Sequence, residues 1–260
     1  MRSVSCWRAI LPVQVSRETD WHPTGNALNA YDRCPRRFFY THVLGLKSSR
    51  KRTAFTQTHD CLYRLMDWLG EARKGGAPTV AEAESAFEEI WQAEGPGDHA
   101  FASDYRALSS RLINVLVEAG AGLRFRQRGP LPVHLGGGRV VVEPDEIVEL
   151  PGGTVGVRRV RTGYKRSNEY DRLEYALYRL AANEHFGDSA EVLALHLTDG
   201  SAEEVRLTPR KLATRQSNSE RMLRGIAEGW FPPEPEPVVC ARCPHFFICP
   251  ALPGGPLTVP

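Results

Sequence analysis

The chain has no stretch approaching the roughly 20 consecutive apolar residues that a membrane-spanning helix needs, so no helical span is expected. It has no Gly-x4-Gly-Lys-Ser/Thr loop, which excludes a P-loop motor. Charge of one sign is missing too: 33 Lys and Arg face 31 Asp and Glu, a formal net charge of +2. Any role with a polyanion must therefore rest on a local basic patch, not on the overall field. Cysteine is scarce, six in 260 residues, too few for a disulfide scaffold. The opening twenty residues hold a short apolar run without the features of a secretory signal, and a cytoplasmic location is expected. What is present is ordinary for a globular protein: 42% hydrophobic and 25% charged residues suffice for a real core.

Residues 1–25 read as an irregular lead-in. From Asn26 onward Leu28, Tyr31, Phe38 and Phe39 recur on one side, with Pro35 suited to the first turn of a new helix. Further helices are expected over about Phe55–Leu69, from Ala83 to Trp91, and over about Phe101–Phe125. The period then changes from helical to alternating. Val140–Leu150 and Thr154–Val160 read as strands joined by Pro151-Gly152-Gly153. A helix over Glu169–His185, strands near Val192–Leu197 and Glu204–Leu207, and a helix over Pro209–Gly229 complete the pattern. This order implies a mixed α/β domain around a small sheet. One domain is expected over 26–252, with a helical part at about 26–128, a sheet core at about 132–230, a cysteine-rich segment at 231–252 and a tail at 253–260.

Cys240, Cys243 and Cys249 form a Cys-x2-Cys-x5-Cys run in a segment too rich in proline for a helix. Three thiolates leave a four-sulfur site one short, and Cys34, also followed by proline, is the candidate fourth. Sulfur-only ligation suits Zn²⁺ or an iron–sulfur cluster, and spacing does not choose between them. The competing reading is ordinary buried thiols. Cys6 and Cys61 lack such company, and Cys61 falls on the apolar side of a helix.

One distant cysteine before Cys-x2-Cys-x5-Cys resembles the iron–sulfur branch of the PD-(D/E)xK nuclease superfamily, the AddB- and RecB-like nuclease domains and the CRISPR-adaptation exonucleases. The opening segment Leu28-Asn29-Ala30-Tyr31-Asp32-Arg33-Cys34-Pro35-Arg36-Arg37-Phe38 is similar to that family's. His59 matches its helix histidine and Asp145, in Val142-Glu143-Pro144-Asp145-Glu146-Ile147, its strand aspartate. Where the family reads Asp-x-Lys-Thr-Gly, this chain reads Arg159-Val160-Arg161-Thr162-Gly163. Asp171 stands where a glutamine precedes Tyr175-Ala176-Leu177. The resemblance implies a restriction-endonuclease-like core with a helical insertion and a four-cysteine [4Fe–4S] site joining the ends, with structural Zn²⁺ as the alternative.

The family's chemistry is metal-assisted phosphodiester hydrolysis, with Mg²⁺ or Mn²⁺ held by carboxylates. Arg159 removes one such carboxylate and brings a positive charge to the metal's place. Arg161 stays protonated and cannot replace a lysine whose pKa must shift. The expectation is a DNA-binding module of repair or helicase–nuclease type that has lost cleavage. Arg158, Arg159, Arg161, Lys165, Arg166 and Tyr175 would contact a single strand or duplex end, extended by Lys47, Arg50, Lys51 and Arg52. A helicase or repair-complex subunit is the expected partner. Two alternatives stand beside this. One is an active nuclease with a rearranged site, using His59, Glu143, Asp145, Asp171 or Glu174 as ligands and Lys165 as a migrated lysine. The other is a structural scaffold that binds protein.

Overall fold

The computed structural model describes residues 22–47 and 52–251; most of the lead-in, Cys6, Arg50, Lys51 and the tail lie outside them. In chain order the helices are α1 (Gly25–Arg33), α2 (Pro35–Phe38), α3 (Ala54–Ala72), α4 (Val80–Glu94), α5 (Ala102–Glu118), α6 (Leu173–Phe186), α7 (Pro209–Ala227) and α8 (Pro237–Ala241). The strands are β1 (Arg124–Arg126), β2 (Leu131–Leu135), β3 (Gly138–Val142), β4 (Glu146–Glu149), β5 (Val155–Arg161), β6 (Glu191–His196) and β7 (Ser201–Glu204). These group into two compact units that alternate along the chain. Residues 1–50, 132–141 and 209–260 make the first, and 51–131 with 142–208 the second.

The boundaries follow local chemistry. Thr53 caps α3 by accepting from the Thr56 N–H at 3.2 Å, and Thr79 with Glu82 closes a reciprocal capping box on α4. The long helix expected up to Phe125 stops at Glu118, because Gly120 and a left-handed Gly122 (φ 73°) release the chain into β1. The single strand expected over Val140–Leu150 is divided into β3 and β4 around Pro144-Asp145, since proline lacks the N–H a central strand must donate. β7 begins three residues earlier than expected, at Ser201. The Asp199-Gly200 turn sets its register opposite β6, with His196 facing Ser201.

In the second unit the sheet order is β1-β4-β5-β6-β7. Only β5 and β6 run parallel, and α6 is the crossover such a pair requires. One sheet face carries Val160, Leu195 and Leu197 into a core with Leu62, Leu65 and Leu69 of α3, Phe87 of α4, and Ile113 and Leu116 of α5. Cys61 is part of that core and fully buried. At its rim Glu146 bridges two buried arginines, Arg73 at 2.7 Å and Arg158, while the Phe125 ring lies 3.6 Å beneath the Arg73 guanidinium.

The first unit closes on an aromatic cluster. Phe231, just beyond α7, packs on Phe38 and Phe39 with ring centroids 5.9 and 5.2 Å apart. The Tyr31 hydroxyl donates to the Trp230 carbonyl at 2.6 Å and occupies the space a side chain at position 225 would need, which is why glycine stands there. Arg36 then pins the outgoing chain, its backbone N–H on the Pro232 carbonyl at 3.1 Å and its Nε on the Phe231 carbonyl at 2.9 Å.

Glu146→Gln leaves two buried guanidinium groups around a neutral amide. The expected loss is about 3 kcal/mol of stability, read as a lower urea midpoint; an unchanged midpoint would remove Glu146 from the fold's support.

Candidate functional site

β5 sorts its side chains by parity, alternate residues pointing to opposite faces. Arg159 and Arg161 share the face that looks at α6 and the 3₁₀ turn Glu169–Asp171 before it. The Arg159 guanidinium stands 3.9 Å from the Glu174 carboxylate and 5.3 Å from the centre of the Tyr175 ring, with only 14% of its side chain exposed. Burial works against its charge, but Glu174, backed by Tyr178, Tyr175 and Asp145, more than restores it, and its pKa rises. Arg161 holds Glu169 at 3.1 Å and is 31% exposed.

Asp145 lies where the Pro144 break turns the chain, and its Oδ2 accepts from the Val160 N–H at 2.7 Å. Desolvation pushes its carboxyl up to about 6, against the pull of that N–H and of Arg159. Tyr63 on α3 keeps 41% of its surface exposed, yet desolvation of its inner side raises its pKa, and Asp145, Arg161 and Arg159 act on it in turn. His59, one turn earlier, has Nδ1 2.9 Å from the Thr162 hydroxyl and Phe55 against its ring; burial lowers its pKa. Asp145, Arg159, Glu174, Tyr178 and Tyr63 thus form one cluster, with His59 joined to β5's end through Thr162.

Several expected site residues stand elsewhere. Arg158 is not on the Arg159 face: it is 3% exposed, ion-paired to Glu146 and donating to the Ala119 carbonyl at 2.9 Å, so no phosphate reaches it. Tyr175 is fully buried, its hydroxyl donating to Glu169 at 3.3 Å, and offers no face to a base. Lys165 is held by Glu203 at 2.5 Å and lies over the Tyr170 ring. Asp171 ends the 3₁₀ turn, and the carboxylate that faces Arg159 belongs to Glu174 on α6 itself. Arg166 and Tyr164 are exposed, while Glu143 offers its backbone carbonyl to the Tyr178 hydroxyl at 3.1 Å. Tyr178 and Tyr63 escaped the sequence reading. The signal for Tyr178 was its place four residues after Glu174, one helical turn along the same face.

Within the first unit Cys34, Cys240, Cys243 and Cys249 line one cavity with about 420 Å³ of empty space, part of it open to solvent. The clamp at Phe231 and Pro232 returns the chain to α2, and the short α8 presents Cys240. The Glu236 N–H points at the Cys240 sulfur at 3.4 Å. Burial raises the Cys243 thiol, the His245 N–H and Arg37 pull it back, and Cys34 and Cys249 are near enough to push it further up. None of the four is in a disulfide. Among the described residues, no three His, Cys, Asp or Glu side chains stand close enough to hold a single metal ion.

The raised Asp145 carboxyl has a consequence for stability. The native state keeps its proton at a pH where the unfolded chain, near the ordinary value of 3.8, has released it. The native state is therefore favoured below about pH 4 and loses that advantage as pH rises through 6. Asp145→Asn should raise the melting temperature at pH 7.5, by the equivalent of about 3 kcal/mol, and change little at pH 4. An equal shift at both values would remove the titration from the explanation.

No curated protein matches the chain. Among solved structures it is similar to SSO0001, at 14% identity over 85% of this chain and 93% of that one, with a TM-score of 0.34. The model of the PD-(D/E)XK nuclease superfamily matches residues 24–250. That span runs from the cap of α1 through the last cysteine and takes in both clusters, and the chain belongs to the PD-(D/E)XK nuclease superfamily.

Proposed function

We propose that this protein binds DNA without cutting it, and that an iron–sulfur cluster spans Cys34, Cys240, Cys243 and Cys249. The observation that carries the loss of cleavage is the Arg159 guanidinium, half enclosed between Glu174 and the Asp145 side of the site. A divalent ion in such a fold neutralises converging carboxylates and polarises the scissile phosphate. Here a fixed guanidinium takes over the first task and has no capacity for the second, since it offers donors only and no coordination site. Arg161, paired to Glu169, presents N–H donors and no acceptor, so it does not serve as a base toward water. Lys165 is committed to Glu203, which weighs against the reading of an active, rearranged site.

The fold's DNA-handling frame and the partly exposed Arg161, beside exposed Arg166 and Tyr164, support binding to a single strand or duplex end. A helicase or repair-complex subunit is the partner proposed for such a module.

The cysteine set fits a cluster. Four thiols lining one cavity, with backbone N–H groups of Glu236 and His245 aimed at sulfur, are donor chemistry that suits an iron–sulfur centre, with structural Zn²⁺ as the alternative. Once bound, a cluster supplies a cross-link between α2's start and the segment after α7.

With Mn²⁺ and labelled single- and double-stranded DNA, the expected result is retention without cleavage and no Mn²⁺ binding by calorimetry. Arg159→Asp combined with Arg161→Lys should restore Mn²⁺ binding. Cleavage by the unmodified protein that is abolished by Asp145→Ala would overturn the reading. For the cysteines, protein purified without oxygen should contain iron and little zinc, and Cys34→Ala or Cys240→Ala should lose most of the iron and melt earlier. A folded Cys34→Ala with full iron content would show that Cys34 is no ligand.

A further inference from the structure

We infer that the main phosphate-binding surface lies on the solvent face of α7, in the first unit, and not on the β5 face. The inference rests on the DNA-binding reading above and moves its electrostatic footprint.

The near-neutral total charge hides a segregation. Among the described residues the first unit holds eleven Lys and Arg against five Asp and Glu, the second seventeen against twenty-four. The second unit also spends its cations internally: Arg73 and Arg158 on Glu146, Arg159 on Glu174, Arg161 on Glu169, Lys165 on Glu203, and Arg106 on Glu84 and Glu88. An acidic unit whose arginines are matched by carboxylates repels a polyanion at long range.

α7 is different. Arg210, Thr214, Ser217, Arg221 and Arg224 follow one another at steps of four, three, four and three residues, one stripe along the helix. All five are exposed. Among the described residues none of the three arginines has a carboxylate within 4 Å; Arg221 takes the Asn218 side-chain oxygen at 3.4 Å and lies in the field of Glu234. Three carboxylates border the stripe, and one of them, Glu234, is near enough to Arg221 to feel its charge. Glu220 turns toward Gly136 and takes Gln216, and Glu228 lies beyond the helix end. The opposite side of α7 is anchored in its own unit by Met222, Leu223 and Ile226, which are buried.

The stripe spans about 21 Å at 1.5 Å per residue, enough for several successive phosphates. Arginine forks contact phosphate and sugar without reading sequence, and Ser217 adds a hydroxyl between them, whereas the Thr214 hydroxyl donates to the Arg210 carbonyl at 2.9 Å. Exposed Arg33, at the end of α1, and Arg242, between Cys240 and Cys243, add charge to the same unit. An acidic protein surface would also be drawn to this charge. The hydroxyl-interleaved, aromatic-free stripe favours a nucleic acid backbone, because protein partners are anchored mainly by buried aromatic and apolar groups.

The test measures binding of fluorescent 30-nucleotide single strands and 20-base-pair duplexes, by anisotropy, over a series of salt concentrations. It uses the full chain and Arg210→Gln/Arg221→Gln, which leaves Arg224 in place because its aliphatic stem packs on Gly137. The double variant should bind about tenfold more weakly at low salt, with its salt slope reduced by about two and its melting curve unchanged; Arg161→Gln should change both far less. Undiminished binding by the double variant, with loss in Arg161→Gln, would overturn this inference and leave the DNA reading intact. An unmodified protein that binds neither DNA, and binds polyglutamate instead, would overturn both and point to an acidic protein partner.

Discussion

The alternation of β5 governs both halves of the second unit's chemistry. Val160 and Arg158 share one face, Val160 entering the core and Arg158 going to Glu146 beside Phe125. Arg159 and Arg161 emerge on the other side, where α6 and its preceding turn wait with Glu174 and Glu169. Three arginines in four residues would be a repulsive run on a loop. On a strand they are separated onto two faces, and each meets a carboxylate supplied by a different element. The parallel pairing of β5 with β6 makes this possible, because it obliges the chain to pass back over the sheet as α6 and so carries Glu174 to the site.

The site is consequently self-neutralised. Its positive groups are not a reservoir of free charge waiting for a ligand; they are counterions of the protein's own acids. A guanidinium cannot be removed by a chelator, and it does not exchange with solvent water as a metal does. Here the carboxylates of Glu174 and Glu169 have Arg159 and Arg161 as their positive partners.

Much of this was legible beforehand, and the failures have physical causes. The helical stripe of α3, the hairpin at Pro151-Gly152-Gly153 and the crossover helix were all readable from period and turn chemistry. β1, only three residues long, carries too little pattern to be seen, and β7, Ser-Ala-Glu-Glu, has no strand preference of its own and exists because β6 is there to pair with it. At the site, reading Arg158 with Arg159 and Arg161 as one basic cluster ignored the strand parity that the same residues declare. Tyr175 looked available for stacking because the local sequence says nothing of the Arg159 and Glu169 that enclose it. Glu174 was harder to single out. It lies among several acids around the start of α6, and only the point at which the helix begins selects it over Asp171.

The interleaving of the two units bears on how the protein is made. Cys34 emerges from a ribosome early, and Cys249 follows 215 residues later. At 5–20 residues per second, roughly 10–40 s separate the first wall of the cysteine cavity from the last. During that interval every strand of the five-stranded sheet is synthesised, so the second unit can collapse around its own core while α1 and α2 still lack α7 and the Phe231 clamp. For that time the aromatic faces of Tyr31, Phe38 and Phe39 stand open, and a chaperone or a neighbouring nascent chain meets them before their native partner does.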